Sequence, residues 1–223
     1  MTWLENNASW VIELSLAHLA LALPAIAASI LIAVPIGRFA ARRPRLGAPV
    51  LTAATLLYAI PALPLLVVIP AITGLPLRSP ISVVIALTAY GVALMVRTSA
   101  DAFGAVDRGA REAAIAIGHS SRSVFWRVEL PLALPILLAG ARVVAVSTMG
   151  LVTVGALIGV SSLGTLLTDG FQRGIAAEIA IGALATVALA LAVDGILLGI
   201  DRVATPWTRV ARSRRAPAEE VPA

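Results

Sequence analysis

Residues able to carry chemistry are scarce in this chain, and their types exclude several classes of active site. The chain has no Cys and two His, His18 and His119, which lie far apart in the sequence. Thiol chemistry and a metal site with local ligand spacing are therefore excluded. All 17 basic residues are Arg, whereas a P-loop needs a Lys on the nucleotide phosphates. We predict no catalytic residue, no metal site and no cofactor on this chain.

The remaining candidates lie in one polar stretch, residues 97–134, within an otherwise apolar chain. Its first part predicts an amphipathic helix over residues 106–117, because small and apolar residues recur with helical spacing. Asp107 and Arg111, four residues apart, are expected to pair on another face of this helix. Gly118 is well placed to end the helix in a left-handed cap. The periodic residues are Ala110, Ala113, Ala114 and Ile117.

A second short helix is predicted after the glycine. Ser120 or Ser121 is expected to cap its beginning, and Leu130-Pro131 is expected to end it after Val128. Pro135 then suits the first turn of the next helix. The polar stretch is thus predicted to be two short capped helices around a tight turn.

The apolar segments on either side of this polar stretch are predicted to be membrane spans. The chain of 223 residues is 59% hydrophobic with a mean hydropathy of +0.96, and about 20 apolar residues suffice to cross a bilayer. We predict an all-α membrane protein with five transmembrane helices, six being the alternative. The predicted spans are residues 14–37, 48–72, 79–97, 136–158 and 177–200. The uncharged run 46–77, which contains the second span, carries five prolines, and these predict a break in the middle of the span.

Charge placement predicts the orientation. The net charge is +5, and the arginines form short patches between apolar runs, which favours membrane topology over nucleic-acid binding. With the N-terminus outside, the loop 98–135 and the C-terminus lie in the cytoplasm, where most arginines then fall. Residues 1–12 form an external segment, and residues 201–223 a basic cytoplasmic tail that is predicted to be disordered. The predicted location is the cell membrane, with the lipid bilayer as a partner.

Spacing within the polar stretch adds a family resemblance. Glu112-Ala113-Ala114, Gly118 and Leu130-Pro131 stand at the spacing of the EAA signature of type I ABC importer permeases, with Val128 where that family usually has Ile. The resemblance implies the fold of those permeases and a loop that docks on a separate ATPase. It assigns ATPase coupling to Glu112, Ala113, Ala114, Gly118, His119, Ser120, Ser121, Leu130 and Pro131.

Other segments resemble the osmoprotectant branch of that family, which imports glycine betaine, carnitine or choline. They include LLYAIPALPLLVVIP and VELPLALPILLAGARV, whereas residues 160–164 depart from the branch pattern. The resemblance implies two ATPase subunits that bind ATP and Mg²⁺, a separate extracytoplasmic binding protein, and a second permease that is identical or paralogous. The alternatives are an importer for amino acids such as methionine, a secondary carrier, and a non-transporting scaffold.

Polar and kinked positions within the spans are candidates for the translocation path, although simple packing explains each of them as well. Because quaternary ammonium ligands favour aromatic cages and no cage is evident in the sequence, we expect a low-affinity path. The candidates are Tyr58, Pro61, Pro64, Ser147, Thr148, Met149 and Thr153.

His18, Asp194 and Arg142 are ionisable groups within the predicted spans. His18 is expected to be packed and hydrogen-bonded, with a proton relay as the alternative. Asp194 is expected in an ion pair or at the membrane interface, near Arg202. Arg142 is expected to extend to the interface, with a position facing the path as the alternative.

Overall fold

The structure is a computed structural model that describes residues 2–207, with side chains from Trp3 onward. The part of the predicted tail after residue 207 lies outside the described residues. Every regular element in residues 2–207 is helical. The α-helices are α1 (Thr2–Arg42), α2 (Pro44–Ala59), α3 (Ala62–Thr73), α4 (Pro80–Gly104), α5 (Arg108–Ala116), α6 (Ser121–Val124), α7 (Leu130–Val152), α8 (Gly164–Arg173) and α9 (Ala176–Ala204). A π turn, Phe125–Glu129, joins α6 to α7, and a 3₁₀ segment, Thr153–Ile158, follows α7.

Helix α4 lies at the centre and packs against α1, α2, α3 and α7. Small residues let it approach α1 closely, because a side chain on Gly91 would collide with Ser29. The Ser29 hydroxyl donates to the carbonyl of Ala25 on its own helix and to that of Thr88 on α4 (3.2 Å). Fully buried Val83 and Met95 of α4 anchor the two main apolar clusters of the core.

Helix α1 is longer than the predicted span 14–37 and includes residues 2–12 of the predicted external segment. Its first turns gain a packing partner, since Trp3 and Trp10 lie against a cluster formed by Leu14, Leu163 and Leu166. This contact with Leu163 and Leu166 stabilises the first turns of α1, although their sequence is polar and contains two asparagines.

The predicted break in the second span is confirmed. Helices α2 and α3 are bent by 108° at a break of two residues. Ile60 is extended (φ −68°, ψ 128°), as expected of a residue that precedes a proline, and Pro61 precedes α3. Four helical segments of the described chain are long and apolar enough to cross a membrane, or five if the bent pair is one span.

The later helices match the predicted spans with shifted ends. The predicted span 79–97 extends to Gly104 as α4, and the span 177–200 occupies α9, Ala176–Ala204. Residues 159–175, between the last two predicted spans, contain helix α8. The span 136–158 is α7 followed by the 3₁₀ segment.

The expected helix end at Leu130-Pro131 is not found. Helix α6, the π turn and α7 run on as one apolar helical segment, Ser121–Ile158. Within the π turn the Leu130 N–H donates to the carbonyl of Phe125, five residues earlier. This wider turn accommodates the Pro131 ring, which would collide with the carbonyl of Arg127 in a regular α-helix. Pro135 consequently lies inside α7 rather than at its beginning.

Candidate functional site

The first helix of the polar stretch begins at an aspartate cap. The Asp107 carboxylate accepts hydrogen bonds from the N–H groups of Gly109 and Ala110, each at 3.2 Å. The expected pairing of Asp107 with Arg111 is replaced by this cap, because a short side chain before a helix reaches its free N–H groups. Arg111 contacts Glu129 instead, with 3.3 Å between Nε and Oε1.

The turn after α5 has the geometry predicted for it. Gly118 has φ +94°, its N–H donates to Ile115, and the His119 N–H donates to Ala114. This pair of bonds is the Schellman arrangement, in which the left-handed position is usually a glycine.

The helix that follows the turn begins at a serine cap. The Ser120 hydroxyl accepts from the N–H of Ser123 at 3.3 Å, so the predicted cap is Ser120 rather than Ser121. His119 also contacts this helix, with its Nδ1 2.6 Å from the Ser123 hydroxyl. The turn is therefore held by hydrogen bonds to α5 on one side and to α6 on the other.

The predicted coupling residues divide into an exposed and a covered group. Ala114 is 6% exposed, so it faces the protein, and Leu130 and Pro131 are half-buried at the start of α7. Ile115 and Ile117, which are not among the predicted coupling residues, expose 52% and 77% of their surface. A partner would thus meet a surface of mixed apolar and polar character. The exposed predicted residues are Glu112, Ala113, Gly118, Ser120 and Ser121.

A buried carboxylate, Glu129, faces Arg111 of helix α5 and is not among the predicted site residues. It is 4% exposed and accepts a 3.1 Å hydrogen bond from Arg38 Nε. Arg42 donates to its other oxygen, Oε1, which also faces Arg111. Three guanidiniums from α1 and α5 therefore meet one carboxylate at the start of the long helix that contains α7.

This cluster, Arg38, Arg42, Arg111 and Glu129, connects the end of α1, helix α5 and the π turn. Charge-assisted hydrogen bonds of this kind are stronger than neutral ones. Arg38 also lies over the Phe125 ring, 4.2 Å from its centroid. Helix α5 contacts Glu129 through Arg111, and Glu129 in turn binds Arg38 and Arg42 of α1.

A cavity of about 350 Å³ lies among α2, α4 and α7, and it collects three of the predicted path residues. Tyr58, Ser147 and Thr148 line it together with Tyr90, which the sequence analysis does not include. The two tyrosine rings are 5.4 Å apart between centroids and tilted by 60°. The cavity is completed by Gly91, Leu94, Val144, Gly150 and Leu151.

The other predicted path residues do not line this cavity. Pro61 and Pro64 are exposed at the beginning of α3. Met149 is fully buried, and its carbonyl contacts His18 Nε2 at 3.1 Å. The Thr153 hydroxyl donates to the carbonyl of Gly150 on its own helix. Packing accounts for the positions of Met149 and Thr153.

His18, Arg142 and Asp194 each have a structural partner. His18 is fully buried and contacts the Met149 carbonyl, in agreement with the expected packed histidine. Asp194 forms a two-point ion pair with Arg142, at 2.7 Å to Nε and 2.6 Å to Nη2. The ion pair expected for Asp194 is thus present, but its partner comes from α7 rather than from the neighbouring turns of α9.

Relatives of this chain are membrane permeases. The osmoprotectant import permease protein OsmW of Salmonella typhimurium is 34% identical over 211 residues, which are 92% of this chain and 96% of that protein. The carnitine transport permease protein OpuCD of Listeria monocytogenes is 29% identical over 218 residues, 97% of this chain and 94% of that protein.

The fold is that of a solved importer permease. A chain of the MetNI methionine ABC transporter, in an inward-facing conformation, superposes with a TM-score of 0.78 and 22% identity. The match covers 89% of this chain and 98% of that one. The type I ABC importer permease fold expected from the sequence is confirmed.

Residues 33–210 match the family described as the binding-protein-dependent transport system inner membrane component. That description is of a transport subunit in the inner membrane, not of an enzyme, and it implies a substrate-binding partner. The chain belongs to this family of inner membrane components of binding-protein-dependent transport systems.

Proposed function

We propose that this chain forms the translocation path of an ATP-driven importer for an osmoprotectant such as glycine betaine, carnitine or choline. The observation that carries the proposal is its 34% identity, over 92% of its length, to an osmoprotectant import permease. The amino-acid alternative has weaker support, since the methionine transporter chain shares the fold at 22% identity. A secondary carrier has none among these relatives.

The proposed complex contains two permeases, identical or paralogous, two ATPase subunits and a separate extracytoplasmic binding protein. ATP and Mg²⁺ bind to the ATPase subunits. The exposed residues around α5 and Gly118 dock on an ATPase, in the cytoplasm, and the N-terminus of α1 lies outside. Closure of the ATPases on ATP draws the two coupling segments together and opens the path outward.

Support for this coupling comes from the geometry of the segment. Its turn is capped on both sides, and Glu129 holds α5 to α1 and to the helix that continues as α7. A rigid segment passes a displacement to the spans instead of absorbing it. The cavity lined by Tyr58, Ser147 and Thr148 is the proposed section of the path.

Uptake by the reconstituted complex tests the proposal. Proteoliposomes with the permease, its ATPase and its binding protein should accumulate labelled glycine betaine, carnitine or choline only with internal ATP. Methionine serves as the competing substrate, and a non-hydrolysable ATP analogue as the control. Uptake of methionine alone, or uptake that needs no ATPase subunit, would contradict the proposal.

A further inference from the structure

We propose that Tyr58 and Tyr90 form a binding site for a quaternary ammonium group within the 350 Å³ cavity, an inference that rests on the proposed function. The tyrosines are the only two in the chain, and the fold brings them together from α2 and α4. The cavity lies at the small end of the volumes found for ligand pockets.

The two rings form a corner rather than a stack. Their planes are inclined by 60° at a centroid separation of 5.4 Å, so both rings contribute to one wall of the cavity. The face of an aromatic ring attracts a cation placed within about 6 Å of its centroid. A trimethylammonium group lying in this corner contacts both rings.

The hydroxyl of Tyr90 fixes the orientation of its ring. It donates a 2.5 Å hydrogen bond to the carbonyl of Ile60, the residue at the break between α2 and α3. Ile60 lies at the break between the helices, and Pro64, four residues on, has no N–H, so it cannot donate a helical hydrogen bond to the Ile60 carbonyl. The broken span therefore holds the aromatic corner in place.

The rest of the lining favours a quaternary over a primary ammonium. No residue lining the cavity carries a charge, and its polar side chains besides the tyrosines are the hydroxyls of Ser147 and Thr148. A quaternary ammonium has no N–H to donate, whereas a primary ammonium loses its hydrogen bonds to water on entering such a site. Gly150 also lines the cavity, and a Cβ there would have no neighbour within 4 Å. Without a carboxylate the site is weak, as suits a position from which the substrate must leave.

Ligand binding to the purified full-length permease in lipid nanodiscs, without the binding protein, tests the site. Saturation-transfer NMR is recorded with choline and with 3,3-dimethyl-1-butanol, its uncharged carbon isostere. The variants are Tyr58→Leu and Tyr90→Leu, with Tyr58→Phe retaining the ring. Phe171→Leu removes an exposed aromatic side chain outside the cavity and is the matched control.

We expect choline to bind more tightly than the isostere, and each Leu variant to weaken choline binding about two- to tenfold. Tyr58→Phe and Phe171→Leu should bind choline as the parent does. Equal binding of choline and the isostere, or unchanged choline binding in both Leu variants, would overturn the inference. If Tyr90→Leu fails to fold because the Ile60 contact is lost, the half-exposed Tyr58 still decides the question.

The same variants in the proteoliposome assay separate this inference from the proposed function. If the parent complex imports no osmoprotectant, the proposed function fails. If it does, and both Leu variants import choline with unchanged KM and rate, only the aromatic site fails.

Discussion

At the scale of single residues, the backbone conformation of Gly118 determines how α6 follows α5 in the proposed coupling segment. Gly118 has φ +94°, a conformation that costs an L-residue with a side chain on the order of 1–2 kcal/mol. A Cβ at this glycine would have no neighbour within 4 Å, so space is not the constraint. The constraint is the left-handed turn that allows His119 and Ser120 to begin the next helix.

Replacing Gly118 by Ala should therefore reduce osmoprotectant uptake and the stimulation of ATP hydrolysis together, because the backbone moves and the turn presents a different surface. The measurement is both activities in proteoliposomes. Gly104→Ala is the matched control, since Gly104 is helical and a Cβ there also has open space. Normal coupling in Gly118→Ala would show that the turn is not the docking surface.

At the scale of elements, a single carboxylate connects three helices. Glu129 is nearly buried and faces Arg38 and Arg42 of α1 and Arg111 of α5. The guanidiniums are a quarter to two-fifths exposed, so water weakens the attraction less than in a surface pair and more than in a fully buried one. The π turn that contains Glu129 also allows the helical segment to continue through Pro131.

Glu129→Gln should lower the free energy of unfolding of the purified permease by on the order of 2 kcal/mol, because three guanidiniums lose their common counter-charge. The Tm should fall accordingly. Coupled ATP hydrolysis should fall with it. The measurement is the Tm in detergent, and Glu112→Gln, an exposed carboxylate on α5, is the control expected to keep the parent Tm. An unchanged Tm in Glu129→Gln would mean that the cluster contributes no stability.

At the scale of the whole molecule, the number and order of the spans determine on which side of the membrane each connecting segment lies. Four long helices plus one bent pair make up to five crossings. An odd number of crossings puts the beginning of α1 and the end of α9 on opposite sides of the membrane. With the bent pair counted as one crossing, the polar segment around α5 and α6 follows the third of five crossings, so it shares a side with the end of α9.

Single cysteines test this topology directly, because the chain contains none. Asn6→Cys and Arg122→Cys place one thiol at an exposed position on α1 and on α6. With a membrane-impermeant maleimide, Asn6→Cys should be labelled in right-side-out vesicles, and Arg122→Cys in inside-out vesicles. The cysteine-free parent should stay unlabelled in both. Labelling of both variants from the same side would contradict the proposed orientation.

Features that depend on neighbouring residues were predictable. The left-handed cap at Gly118, the serine cap of α6 and the break before Pro61 each follow from the chemistry of a few adjacent residues. The same local reasoning missed the helix that continues through Leu130-Pro131, because a π turn rearranges the hydrogen bonds around the proline.

The sequence by itself determined the membrane class, the broken second span and the capped polar segment, since hydropathy, proline and glycine act over a few residues. Only the tertiary structure decided which distant side chains meet. Glu129 reaches arginines about ninety positions away on α1, and Arg142 reaches Asp194 across 52 positions. The Tyr58–Tyr90 corner likewise joins separate helices. Such contacts depend on how each helix is rotated and crossed against its neighbours, which the residues of one helix do not specify.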